Sequence, residues 1–419
     1  MSLRRTAYSI LLHLLIPFAL MRLVWRARRQ PAYLRHIPER FGFYSSRPAA
    51  PLIWLHAVSV GETRAAEPLL KALRERWPEH RVLLTHMTPT GRATGEQVFG
   101  DAVSRCYLPY DLPWATARFL SHFRPQLGLL LETELWPNLI HACRIKSIPL
   151  YLVNARLSER SARGYARFAR LTRATLQELA GVAAQTADDA QRLITLGAPE
   201  VTVCGNLKFD RSPHPQDFEL GERLRGRFGA RPVFVAASTR EGEEEKVLAA
   251  VELAAQPQLL TVIVPRHPQR FDAVARLLAG RSLTYQRRSD GQPVAESTAV
   301  VLGDSMGELY AYYAACDLAF VGGSLLPLGG QNLLEACAVG KPVVVGPFTF
   351  NFEEATRLAM GAGAAVQVRD EQELGSRVVE LLANAERRSR MGQAGLALMR
   401  QHQGAAQRIV SLLQLASRR

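Results

Sequence analysis

Pro51–Thr63 reads PLIWLHAVSVGET: an apolar run, a short loop carrying Ser59 and Gly61, then an acid, Glu62, where helical sequence begins. The run does not alternate, which suits a strand buried on both faces of a parallel sheet. The pattern recurs. Further runs lie at Val82–Thr85, Leu127–Leu131, Pro149–Val153, Gly181–Ala184 and Val201–Cys204. After a break they resume at Val233–Ala237, Leu259–Val264, Ala299–Leu302, Leu318–Val321 and Pro342–Val345. Small or polar loops and helical stretches separate them, so each half predicts a doubly wound α/β domain. The polar, proline-bearing RSPHPQDF that starts at Arg211 reads as the linker between the two.

A chain of 419 residues has room for two such domains, and 47% hydrophobic residues is a globular composition. The formal charge of +14 invites a nucleic-acid reading, but residues 1–50 hold nine Lys/Arg against Glu39 alone. The excess is therefore a local basic segment, and no nucleic-acid partner is predicted. Five scattered cysteines, never at CxxC spacing, argue against a disulfide framework and a zinc site. Residues 1–30 predict a membrane anchor. The largely apolar stretch Ala7–Met21 lies between Arg4–Arg5 and the Arg26, Arg28, Arg29 cluster. It is short for a span of ~20 residues, though Arg22 could snorkel and extend it through Trp25. A cleaved signal peptide lacks its small-residue cleavage site here, and Pro17 with the basic flanks weakens a buried core helix. An uncleaved anchor or interfacial helix, with the rest of the chain cytoplasmic, fits best.

Parallel sheets of this kind bind ligands beyond the carboxyl ends of their strands, so the loops there carry the chemistry. Glu62 has two readings: an acid complementing the helix dipole, or a general base. Ser59 and Gly61 beside it offer a hydroxyl and an approachable backbone. Glu132 and Glu134 follow the strand Leu127–Leu131. Capping of the next helix by Glu134, with Pro137 in its first turn, is their bland reading. Arg156 and Lys208 bring cations to two further strand ends. In the second half Ser238 opens a helix, and Pro265 precedes Arg266, a guanidinium suited to an anion. Gly323 in FVGGS leads to GGQN, with Gln331 and Asn332, and to Glu335 about one turn into the next helix. A carboxylate there suits ribose hydroxyls. No Asp-x-Asp and no GxxxxGK[ST] occur, which excludes the usual sugar-nucleotide metal clamp and a P-loop.

LHAVSVGE, LETELWPN, VNARLSERS, CGNLKFD, AASTREGEE, VPRHP and VGGSLLPLGGQN-LE-GKPVVVGP, in this order, resemble the 3-deoxy-D-manno-octulosonic acid (Kdo) transferases. The resemblance covers nearly the whole chain. It implies a GT-B fold: two Rossmann-like domains facing a cleft, behind an N-terminal membrane-anchor helix. The expected division is 1–30 anchor, 31–210 acceptor domain and 211–419 domain for the donor, CMP-Kdo. It also implies a lipid A precursor (lipid IVA) as acceptor, inversion without a metal or cofactor, and a place among anionic lipids at the cytoplasmic face of the inner membrane. By motif position Glu62 resembles the catalytic base, and Glu132 or Glu134 a second essential carboxylate. Lys208, Ser238, Arg266, Asn332 and Glu335 fall where donor-site residues are expected. Gln331 stands where the resemblance leads one to expect His. The rival readings are another GT-B transferase or a fold-related nucleotide-sugar epimerase, and a non-catalytic membrane-bound binder of lipid or nucleotide.

Overall fold

The computed structural model describes residues 3–45 and 51–415; Met1 and Ser2 of the expected anchor lie outside the described residues. The chain divides into two compact units. The first takes the chain up to Arg211 together with the segment from Gln403, and the second runs Ser212–His402.

Among its described residues the first unit contains seven strands: β1 (Leu52–His56), β2 (Arg81–His86), β3 (Val103–Tyr107), β4 (Leu127–Leu131), β5 (Leu150–Ala155), β6 (Gly181–Ala184) and β7 (Val201–Val203). They form one sheet in the order β3-β2-β1-β4-β5-β6-β7, with every pair parallel. Alternate residues of one strand feed opposite cores. Leu52 and Trp54 enter one apolar cluster, Ile53 and Leu55 the other. That double burial is why these strands read as unbroken apolar runs.

The second unit repeats the plan with β8 (Val233–Thr239), β9 (Leu260–Pro265), β10 (Tyr285–Arg287), β11 (Val300–Leu302), β12 (Leu318–Val321), β13 (Val343–Val345) and β14 (Ala365–Gln367). Its order is β10-β11-β9-β8-β12-β13-β14, again all parallel. Here β11 is also inserted between β9 and β10. The strand order reverses between β1 and β4 in the first sheet and between β8 and β12 in the second. Loops diverge there and leave a crevice, which makes these the expected ligand sites.

Three strands escape the reading of apolar runs: β3, β10 and β14. All three are sheet edges, and none is buried along its whole length, so polar residues such as Ser104, Arg105, Gln286 and Gln367 interrupt any apolar run. The linker is also shorter than RSPHPQDF suggests, because a helix already begins at Pro215 and runs to Phe228. Its first-turn proline is preset for a helix. A third correction concerns the domain 211–419. The helix Ala405–Leu412 packs into the first unit's core through Ala405, Ile409 and Val410. Its N-terminal amides explain the return: Asp210 accepts from Gly404, Ala405 and Ala406 at 2.7, 3.2 and 2.6 Å.

The N-terminal segment forms two helices, Leu3–Leu14 and Ile16–Ala27, bent by 46°. Among the described residues no single helix is long and apolar enough to cross a membrane; the bent pair meets that test by length and composition. The first helix is docked on the domain behind it. Tyr8 donates to Asp111 at 3.1 Å, Ser9 to Asn138 at 3.0 Å, and Arg5 pairs with Glu178 at 3.2 Å. Arg5 and Ser9 are buried, whereas Ile10, Leu14, Phe18, Met21 and Trp25 are exposed. The segment expected as an anchor or interfacial helix is thus part packed helix and part bare apolar face.

Candidate active site

Ser59 and Glu62 close a reciprocal cap on the helix Val60–Ala65, the S-x-x-E arrangement that satisfies orphan amides at a helix start. The Glu62 amide points to Ser59 Oγ at 3.4 Å, while the carboxylate accepts from Ser59 Oγ at 2.8 Å and from the Val58 amide at 2.7 Å. The helix-start reading of Glu62 is therefore correct, and it is incomplete. Burial, reinforced by the charge of Glu132, pushes the Glu62 carboxyl up to about 7 despite those two donors. Gly61 is exposed, and an added Cβ there meets nothing nearer than Ser59 Oγ at 3.8 Å. Internal packing does not require that glycine, so its bare backbone is open to a ligand.

Across the strand-order reversal, the loop after β4 carries the other two acids. Glu132 holds a left-handed backbone, φ 58°, at the strand end. Glu134 does not cap the following helix, as the bland reading had it; it accepts from the Trp136 indole at 2.8 Å. Burial raises its carboxyl to about 7, the indole opposing and Glu132 adding. Pro137 does open the helix Pro137–Ile145, but the cap comes from afar. Asp111 accepts from the amides of Asn138 and Leu139 at 3.0 and 2.8 Å.

Lys208 and Arg156 complete this group. Burial, with Arg156 adding, lowers the Lys208 amine, while Glu132 and Glu62 hold it up. Four of the first unit's strand-end loops thus converge electrostatically, with two cations and three carboxylates. Each loop is tied down. Asp189 accepts from the Leu157 amide at 2.8 Å, fixing the turn that bears Arg156. Asn154 accepts from the Leu207 amide at 3.0 Å, and Gln185 bonds Asn206 at 3.0 Å, fixing the turn that bears Lys208. Asp189 was findable, since Thr186 caps the following helix by accepting from the Asp189 amide and donates its hydroxyl to the Asp189 carboxylate. Asp111 and Gln185 carry no local signal, because these partners lie 21 to 28 residues away.

In the second unit Ser238 sits at the end of β8 with a left-handed backbone, φ 57°. Pro265 ends β9, and Arg266 Nε donates to Gln331 Oε1 at 3.2 Å. The Gln331 side-chain amide thus orients the guanidinium. Gly323, φ 69°, faces the same residue, for a Cβ there would lie 3.1 Å from Gln331 Nε2. Asn332 accepts from the Leu334 amide at 3.3 Å. Glu335 is in the first turn of the five-residue helix Leu334–Ala338, nearer the loop than the sequence suggests, and it is buried. Glu243 was not singled out from the sequence. Fully buried, it accepts from the amides of Gly323, Ser324 and Leu325 at 2.5, 2.9 and 2.9 Å and from Arg240 at 3.2 Å. It therefore binds the loops after β8 and β12 together. Among the described residues no cluster of three or more His, Cys, Asp or Glu is disposed to hold a metal ion.

Known proteins resemble both units. Residues 35–211 match the family described as 3-Deoxy-D-manno-octulosonic-acid transferase (kdotransferase), and residues 236–397 match Glycosyl transferases group 1. A 3-deoxy-D-manno-octulosonic acid transferase of Bordetella pertussis is 45% identical over 98% of this chain and 99% of its own. One of Haemophilus influenzae is 39% identical over 98% of each. A glycosyltransferase structure from Rickettsia africae superposes with a TM-score of 0.60 over 87% of this chain and 98% of its own, at 11% identity, a likeness of fold alone.

Proposed function

The chain belongs to the Kdo transferase family, glycosyltransferases of lipopolysaccharide core assembly, and from that premise we propose how its residues divide the reaction. The first unit binds the acceptor, a lipid A precursor, and supplies the base. Glu62 takes the proton of the acceptor's primary hydroxyl as that oxygen attacks the ketose anomeric carbon. The bond from that carbon to the CMP phosphate breaks, CMP leaves as an anion, and the new glycosidic bond forms with inversion through an oxocarbenium-like transition state. The second unit binds CMP-Kdo. Arg266, steadied by Gln331, meets the phosphate charge without a metal, with the loop at Ser238 beside it. Glu335 suits the ribose hydroxyls. Lys208 and Arg156 offset the acidic cluster and receive negative charge brought by substrate. The exposed apolar face of the N-terminal helices and the basic stretch Arg22–Arg40 favour the cytoplasmic face of an anionic inner membrane.

One observation carries this reading: Glu62 has a carboxyl raised to about 7, beside an exposed glycine at the sheet's reversal point. A base poised near the working pH is the effective one. Glu62→Gln tests it. The amide can still accept from the Val58 amide and donate to Ser59 Oγ, so the cap survives, but it cannot take a proton. Loss of a positioned base removes ~10²–10⁴ of the rate. Turnover of CMP-Kdo with a lipid A precursor should fall by that factor while CMP affinity and thermal unfolding stay near wild type. Near-normal turnover would dismiss Glu62 as base, and CMP binding without turnover in the wild type would favour a non-catalytic binder.

A further inference from the structure

A cavity of about 810 Å³ opens in the first unit beside the acidic loop, within the size range of built ligand sites. One wall is the N-terminal helix, through Ala7, Tyr8 and Leu11; the other is the segment Phe168–Thr172. Its floor is Leu135 and Pro137, from the same loop that carries Glu134 and Trp136. Tyr165 also lines it and donates to the Thr133 carbonyl at 3.4 Å, tying cavity and acidic loop together. The lining is largely apolar, yet Arg4, Arg167 and Arg170 stand exposed around it. Leu11 and Phe168 are 54% and 70% exposed, bare apolar side chains at its edge.

An apolar trough ringed by three cations matches an amphiphile with a hydrocarbon tail and an anionic head. Its position selects among amphiphiles. Leu135 lies directly between Glu134 and Trp136, so a tail in the trough packs against the acidic loop itself. We propose that this trough holds an acyl chain of the acceptor lipid itself, with the arginines engaging the acceptor's anionic head group. It would select acylated acceptors and set the register of the acceptor sugar toward the carboxylates. The proposal rests on the acceptor reading of the first unit. It also gives the docking of the helix Leu3–Leu14 a use beyond membrane contact, since that helix forms one wall of the trough.

The test compares kcat/KM for an acylated acceptor and for the same acceptor stripped of its acyl chains, both with CMP-Kdo in detergent. Wild type, Ala7→Phe and Phe168→Ser are measured; both positions are exposed, so folding is not at issue. Filling or opening the trough should cut the ratio of acylated to deacylated kcat/KM by about tenfold, the effect of two methylenes losing burial. Co-sedimentation with phosphatidylethanolamine–phosphatidylglycerol vesicles is measured alongside and should hold. An unchanged ratio in both variants overturns the trough and leaves the Kdo-transfer reading standing. A fall in ratio matched by an equal loss of vesicle binding also overturns it, because the trough is then only membrane surface. Wild-type protein that turns over neither acceptor defeats the underlying reading, and the trough with it.

Discussion

Glu62 and Glu243 occupy equivalent places in the two units. Each lies in the first turn of the helix after the first strand of its sheet, β1 or β8, at the point where strand order reverses. Their surroundings differ. Glu243 accepts from four backbone amides, three of them in the loop after β12. Glu62 accepts from one amide and one hydroxyl, and it faces Glu132 where Glu243 has amides. The lesson is that position alone does not make a base. A carboxylate saturated with amides serves as a structural clamp, whereas one that is buried, half-satisfied and set beside another acid is held near its titration point.

The contrast can be broken by giving both residues the same change. Glu62→Gln is expected to cost ~10²–10⁴ in turnover, about 2.7–5.5 kcal/mol of transition-state stabilisation, with little loss of fold. Glu243→Gln should do the reverse in the second unit. A side-chain amide cannot accept from four donors, and each buried amide left unpaired costs about 1–3 kcal/mol. Urea unfolding should show that loss, with turnover falling only as far as the donor loops loosen. If Glu243→Gln unfolds like wild type, the amide cradle is not what separates the two glutamates.

The units differ in charge as well as in base chemistry. The second offers a guanidinium where the first offers acids. Arg266→Ala should weaken CMP binding by roughly 1.5–3 kcal/mol, about 10- to 150-fold, the worth of a charge-assisted contact. Calorimetric titration with CMP measures it. Unchanged affinity would leave the second unit's phosphate contacts to backbone amides alone.

Much of this plan was legible before any coordinates. Central strands such as Leu127–Leu131 and Val233–Ala237 are apolar on both faces, so a continuous run marks them. Edges such as β3, with Ser104 and Arg105 partly exposed, give no such mark. Most candidate residues were legible because they lie at the end of an apolar run or shortly after it. What holds them was not, because it is non-local. Asp111 caps a helix whose first residues come 27 positions later, and Asp210 receives a helix nearly two hundred positions away. The N-terminal helix is the sharpest case: its apolar run suggests an anchor, while the Arg5, Tyr8 and Ser9 contacts that dock it depend on partners far along the chain.

That docking has no counterpart in the second unit, which yields the smallest expected effect. Tyr8→Phe removes one donor to the buried Asp111 carboxylate and should cost about 0.5–1.5 kcal/mol in the first unit's unfolding. Proteolysis or hydrogen exchange resolved by unit should place the loss there and leave the second unit's protection intact. Equal loosening of both units, or of neither, would mean that the helix Leu3–Leu14 is not integral to the first.

The central claim, that Glu62 is the base, is most directly read in the pH dependence of kcat/KM for wild type and Glu62→Gln. A general base works ionised, so the wild-type rate should rise with pH and level off through about 7, well above the ordinary carboxylate value of 4.5. The residual activity of Glu62→Gln should lack that rise. An identical ascending limb in the variant would contradict the account and point to Glu134, whose carboxyl is raised to the same range by its own burial.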